Sequence, residues 1–224
     1  MGINFYDQHY YKNLRGNLPE KEPHPGQRRQ IRFFKQILCP KENEKLLDLG
    51  CGTGDYLSAL SDSKADLWGI DISELATAVA KKKVIRPNQI LCADALPLPF
   101  ESNTFDHVTA WGVIEHFPNI PKIIGEIRRV LKADGTSAIM VPNYYYFQFI
   151  WDTIRKGSGP VKHQEVETLY SFAEWRTVIE KEGLKIVNVN SHNKFNKSPA
   201  AIWLRNKLIP FYLSNHFIFI CKKN

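Results

Sequence analysis

Apolar positions along this chain fall into short runs that end in glycine or acid, with amphipathic stretches between them. Leu46-Leu47-Asp48-Leu49 meets Gly50-Cys51-Gly52-Thr53-Gly54-Asp55-Tyr56, where three glycines spaced two apart precede a polar, helix-compatible segment. That pattern predicts strand, tight turn, helix. Asp66 to Asp71 predicts a second strand closing on an acid, 21 residues past Gly50. Ser73 is placed to cap a helix whose inner face is Leu75, Ala76, Val79 and Ala80, broken by Pro87 and Asn88. Ile90 to Asp94 predicts a third strand, again closing on an acid, and Pro97 and Pro99 force an irregular loop. Phe105 to Ala110 is a fourth strand, and Trp111 to Phe117 emerges from its end.

The same rhythm continues toward the C-terminus. Pro121 opens a helix with Ile123, Ile124, Ile127 and Leu131 on one buried stripe, for which Gly135 is the expected C-cap. Thr136 to Val141 predicts strand five. Ser171-Phe172-Ala173-Glu174 has the form of a capping box, opening a helix that Gly183 ends. Lys185 to Asn190 and His216 to Cys221 read as the last strand pair. Upstream, Gln27 to Leu38 places Ile31, Phe34 and Leu38 on one helix face, which Pro40 stops. Strands alternating with helices at this spacing predict a parallel α/β sheet with helices on both faces.

At 224 residues a single domain over 1–224 is expected, with an aromatic and helical lid (1–44), a core (45–141), and a cap with the last strands (142–224). The N-terminus has no apolar h-region and nothing later resembles a membrane span, so a cytoplasmic location is expected. Cys39, Cys51, Cys92 and Cys221 are scattered without a CxxC pair, which suits buried thiols and argues against a metal site. The net charge of +7 is spread over small groups such as Lys81-Lys82-Lys83 and Arg128-Arg129. That distribution reads as a solvated surface, and a nucleic-acid partner is disfavoured because no recognised binding module is present.

Glycines at the end of a strand allow positive φ and bring a ligand close to backbone N–H groups. An acid about 20 residues further on is placed to accept hydrogen bonds from ribose hydroxyls. The turn is GCGTG, whereas a dinucleotide site wants G-x-G-x-x-G, and the carboxylate of Asp55 at the helix start would repel a phosphate. A ligand without a phosphate suits the turn better.

The runs LLDLGCGTGDY, WGIDIS, CADALPLPFESNTFDHVTAWGVIEHF and EIRRVLKADGTSAIMVPN, in that order over roughly 45–145, resemble the class I S-adenosylmethionine-dependent methyltransferases, nearest the small-molecule and quinone-methylating branch. The resemblance implies a Rossmann-like three-layer sandwich with a seven-stranded, mostly parallel sheet and an antiparallel last strand. It implies S-adenosyl-L-methionine as methyl donor and S-adenosyl-L-homocysteine as product. Gly50, Gly52 and Gly54 would frame the methionine and ribose part, with Asp48 and Cys51 counted beside them. Asp71 would take the ribose hydroxyls, Ile72 would pack on adenine, and Asp94 and the Ala95 backbone would meet the adenine edge. Trp111 falls where the family contacts the methionine moiety.

Glu115-His116, after strand four, is the best-placed pair for removing a proton from an acceptor. His107, inside strand four, reads as a packed strand residue. Tyr6, Tyr10, Tyr144, Tyr145 and His163 are the candidate substrate residues, since aromatics at both ends could form a cap over a flat or apolar acceptor. A second reading lays 199–213 on a membrane surface as an amphipathic piece. An RNA or protein methyltransferase is the rival activity. Nucleic-acid N-methylating enzymes carry an Asn/Asp-Pro-Pro-aromatic motif where this chain has Trp111-Gly112-Val113-Ile114. A non-catalytic scaffold of the same fold has no need of the glycine turn and both acids. A monomer or a homodimer is expected.

Overall fold

A computed structural model describes residues 25–157, 167–192 and 210–224. Its strands are β1 (Lys45–Leu49), β2 (Asp66–Asp71), β3 (Ile90–Cys92), β4 (Phe105–Trp111), β5 (Leu131–Pro142), β6 (Leu184–His192) and β7 (His216–Lys223). They form one sheet in the order β3-β2-β1-β4-β5-β7-β6. Its helices are α1 (Pro25–Ile37), α2 (Asp55–Ala59), α3 (Glu74–Lys83), α4 (Ile120–Val130), α5 (Phe147–Lys156) and α6 (Phe172–Lys181). Contacts divide the chain into two compact units. One runs through Thr109 and takes in Arg129–Gly135; the other takes in Ala110–Arg128 and the chain from Thr136 on.

In the first unit β1 pairs in parallel with β2, from Lys45 opposite Asp66 to Leu49 opposite Ile70, and β2 pairs in parallel with β3. The apolar run of β1 is buried on both faces, as a central parallel strand requires, with Leu46, Leu47 and Leu49 inaccessible. Each such side chain contributes roughly 1.5–3 kcal/mol of burial. Ser73 caps α3 by accepting from the Ala76 N–H at 3.0 Å. Ala76 and Ala80 of the expected inner face are buried, Leu75 and Val79 are half-buried, and Thr77 is buried as well, its hydroxyl satisfied by donating to the Ser73 carbonyl at 2.9 Å. Phe34 and Leu38 are buried as expected of α1, and Tyr56 donates to the Leu38 carbonyl at 2.6 Å. Glu44 and His107 pair at 2.9 Å at the start of β4. His107 is thus a strand residue held by an acid.

In the second unit β7 runs antiparallel to both β5 and β6, giving the antiparallel end that the resemblance implies. Ile123, Ile124 and Ile127 of α4 are fully buried, and the Asn119 carboxamide starts that helix by accepting from the Lys122 N–H at 3.0 Å. The capping box of α6 is present: Ser171 Oγ accepts from the Glu174 N–H, and Glu174 accepts from the Ser171 N–H at 2.8 Å. Gly183 follows α6 at φ 79°. A register shift between Ile186 and Asn188 bulges β6.

Two expectations are corrected. Gly135 does not cap α4: that helix ends at Val130, and Gly135 lies inside β5 without positive φ. A β-carbon there would stand 2.9 Å from the Lys132 carbonyl, so this glycine answers a close backbone approach. The thiols are also not uniformly buried, since Cys39 and Cys92 are exposed while Cys51 and Cys221 are buried.

Candidate active site

The turn after β1 takes the shape its glycines allow. Gly50, Gly52 and Gly54 have φ of 69°, 51° and 71°, left-handed values that favour glycine. The Gly50 and Cys51 N–H groups donate to the Ile70 carbonyl at 2.8 and 3.1 Å, which continues the β1–β2 pairing into the loop. Gly54 is constrained by packing as well as by φ, since a β-carbon there would fall 2.9 Å from Ala80 Cβ. Gly69 matters too, although its place within a strand was its only signal. A side chain at 69 would meet Cys51 Sγ and Leu57 Cδ1, each at 2.8 Å. Cys51 itself is buried, and that burial pushes its thiol pKa up.

Asp71, the last residue of β2, holds the loop. Its Oδ2 accepts from the Gly52 N–H at 2.8 Å and its Oδ1 from the Ser73 N–H at 2.9 Å. Ile72 follows it, half-buried. Asp94 lies two residues beyond β3, exposed, and accepts from the Leu96 N–H at 3.1 Å, while Ala95 is buried. Asp48 is buried in β1 and accepts from Thr109 Oγ1 at 2.7 Å. Burial pushes its carboxyl up to about 7, so it braces the strand from inside.

Asp55 is more neutralised than its sequence position suggests. Lys83 pairs with it at 2.7 Å, and Gln27 and Thr53 donate to its other oxygen at 2.6 and 2.9 Å. These contacts tie α1, α2 and α3 together. They also weaken the argument that Asp55 alone repels a phosphate, and the shape of the turn then carries that exclusion.

The second unit contains the other candidates. Trp111 ends β4, and Gly112 turns the chain at φ 69° into a single 3-10 turn, Ile114–His116. Glu115 is 4% exposed, and its Oε2 has no hydrogen-bond partner. Burial above all, with repulsion from Glu167 adding to it, pushes this carboxyl up to about 8, so it is a neutral acid at pH 7. His116 Nε2 stands 3.9 Å from Glu115 Oε1, beyond a direct hydrogen bond. A β-carbon at Gly112 would make only an ordinary contact with that same oxygen, at 3.5 Å, so it is the left-handed φ that favours glycine here.

Tyr144 and Tyr145 are exposed, with their rings edge to face at 5.1 Å, whereas Tyr146 is buried. Asn143 anchors them and gave no signal in the sequence. Its buried carboxamide donates to the Tyr212 and Ser214 carbonyls at 2.8 and 2.9 Å and accepts from the Tyr145 N–H at 3.0 Å. Tyr6, Tyr10 and His163 lie outside the described residues, as does 199–209. Among the described residues no cluster of His, Cys, Asp and Glu could hold a metal ion, and no helix is long and apolar enough to cross a membrane.

A parallel sheet ending in an antiparallel pair, with a glycine turn and an acid at consecutive strand ends, defines a Rossmann-like nucleoside-binding protein. The comparisons narrow that class. Residues 47–139 match the methyltransferase domain family. An uncharacterized protein of Methanocaldococcus jannaschii is 30% identical over 82% of this chain and 77% of its own length. A demethylmenaquinone methyltransferase of Staphylococcus carnosus is 29% identical over 85% of this chain and 86% of its own. A methyltransferase of Haloferax volcanii, solved with the Trm112 methyltransferase activator, superimposes over 100% of this chain and 97% of its own with a TM-score of 0.71 at 21% identity. The chain belongs to the class I S-adenosylmethionine-dependent methyltransferases. It is an enzyme of that type, and S-adenosyl-L-methionine is its cofactor.

The first unit fits that cofactor. Asp71 closes β2 beside the turn and holds it through the Gly52 N–H, and the turn at Gly50 and Gly52 presents no side chain to a ligand.

Proposed function

We propose that this enzyme methylates a small, apolar or aromatic molecule, with Asp71 and the Gly50–Gly54 turn holding the donor and Glu115 handling the acceptor's proton. The observation that carries the reading is Asp71, whose two oxygens clamp the glycine turn and the cap of the next helix at the end of β2. Asp71 takes the ribose hydroxyls, Ile72 packs on the adenine, and Asp94 and the Ala95 backbone take the adenine edge. Bound S-adenosylmethionine supplies a methyl carbon on a sulfonium, open to in-line displacement.

The chain's own task is then mostly alignment, worth up to roughly 7–11 kcal/mol in ideal cases. Acceptors that lose a proton on attack also need a base. Glu115 is buried with one unpartnered oxygen, placed to exchange a proton away from bulk water. His116 stands beside it, with Nε2 3.9 Å from Glu115 Oε1. The aromatic residues Tyr144 and Tyr145 support a flat or apolar acceptor, as does the likeness to a demethylmenaquinone methyltransferase. We place the reaction in the cytoplasm, which the four unpaired cysteines support.

The test is methyl-labelled S-adenosylmethionine incubated with a metabolite extract and, in parallel, with total RNA and protein. Label in an organic-extractable small molecule is expected. Label in RNA or protein would overturn the acceptor class.

A further inference from the structure

Helix α5 and the loops at its base carry most of the large apolar side chains that the described residues leave exposed. Tyr144, Tyr145, Trp151, Ile154 and Tyr212 are each between 44% and 74% exposed, all within the second unit. Three of them belong to one local structure. The Asn143 carboxamide holds the Tyr212 backbone at 2.8 Å and the Tyr145 backbone at 3.0 Å, so one buried polar clamp fixes both segments, and the Tyr144 and Tyr145 rings meet edge to face at 5.1 Å. Trp151 and Ile154 are three residues apart, hence on one face of α5.

We infer that this aromatic surface docks the enzyme on an anionic lipid bilayer. Tyrosine and tryptophan are the side chains that favour the membrane–water boundary, with an apolar body and a polar tip. Charge supports the same occupant. The chain carries a net +7, and α5 ends in Arg155-Lys156 with Arg155 exposed, as an interfacial helix on acidic headgroups requires. A second copy of the chain would bring the same excess of positive charge to the interface, which disfavours it. Its α5 face lies outside 199–213, from which it takes only Tyr212.

The experiment is co-sedimentation of the full chain with vesicles of phosphatidylcholine alone and of phosphatidylcholine mixed with phosphatidylglycerol. Binding is expected to the mixed vesicles, weakening as salt rises. Trp151→Gln with Ile154→Gln should lower partitioning by about tenfold or more, ~1.4 kcal/mol per decade. Both sites are exposed, so thermal unfolding and S-adenosylmethionine binding should match the parent. Tyr144→Ser with Tyr145→Ser should lower partitioning as well. No binding to the mixed vesicles at low salt overturns the proposal, and so does binding that all four substitutions leave unchanged. A concentration-dependent dimer that these substitutions abolish, without vesicle binding by the parent, would assign the surface to a second copy instead.

Discussion

Asp71 accepts from the backbone N–H of Gly52 at 2.8 Å and from that of Ser73 at 2.9 Å, so one carboxylate joins the glycine turn to the cap of α3. Each is a charge-assisted bond, worth about 1.5–3 kcal/mol. Asp71→Ala removes both and, with them, the acceptor we propose for the ribose hydroxyls. Affinity for S-adenosylmethionine should fall at least about tenfold, since ~1.4 kcal/mol is one decade. Titration calorimetry measures it, and unchanged affinity would take Asp71 out of the cofactor site.

Gly54 should resist substitution for two separable reasons. Gly54→Ala places a side chain at φ 71° and a β-carbon 2.9 Å from Ala80 Cβ. The first costs roughly 1–2 kcal/mol and the second roughly 1–3 kcal/mol. Ala80→Gly costs about 1 kcal/mol alone, through helix propensity. Combined, the two changes should be less damaging than their sum, because only the collision is relieved. Denaturant unfolding of the four proteins in the cycle reads the coupling, and strict additivity would show that these two positions do not meet.

Glu115 makes stability and rate depend on pH in opposite ways. Its folded pKa of about 8 lies above the unfolded value of about 4.3, so between the two the folded state binds more protons. Its contribution is therefore full in acid and declines as pH rises through that window. Glu115→Gln should remove the decline, leaving the variant relatively more stable in alkali. Turnover should rise as pH passes through about 8, where Glu115 becomes able to accept a proton, and the variant should lose that rise. A parent pH–rate profile flat across this range would leave alignment as the whole mechanism.

Glu44 runs the other way. The Lys41 N–H, donating at 2.7 Å, chiefly holds its carboxyl below the usual range, and His107 assists. The stabilisation is present above the unfolded pKa and is lost as pH falls through the lower folded one. Glu44→Gln should therefore be less stable than the parent at neutral pH, with the gap closing in acid. Melting curves across the acid range test it, and a gap independent of pH would refute the assignment.

The strand ends were the legible part of this chain. β2 spans the six residues its pattern predicts, and the caps at Ser73 and Ser171 formed because each satisfies backbone groups within four residues. Features that depend on distant partners were not legible. Gly69 looks like an ordinary weak strand residue until Leu57 and Cys51 close over it. Asp55 reads as a free charge until Gln27 and Lys83, each 28 residues away, come to it. Gly135 misled because a glycine after a helical stripe usually marks a cap, whereas here the chain passes straight from α4 into β5. Glu115 was found by position, but its neutrality is a property of burial that no local pattern encodes.

The bulge in β6 bears on the two margins of the sheet. The strand order makes β3 and β6 the two margins of the sheet. β3 has only three residues, and β6 is kinked at Val187 beside the cationic Lys185. Short, bent or charged margins are poor templates for recruiting a strand from another molecule. Neither margin thus offers a straight ladder on which a fibril could grow, and straightening β6 by deleting Val187 would expose one.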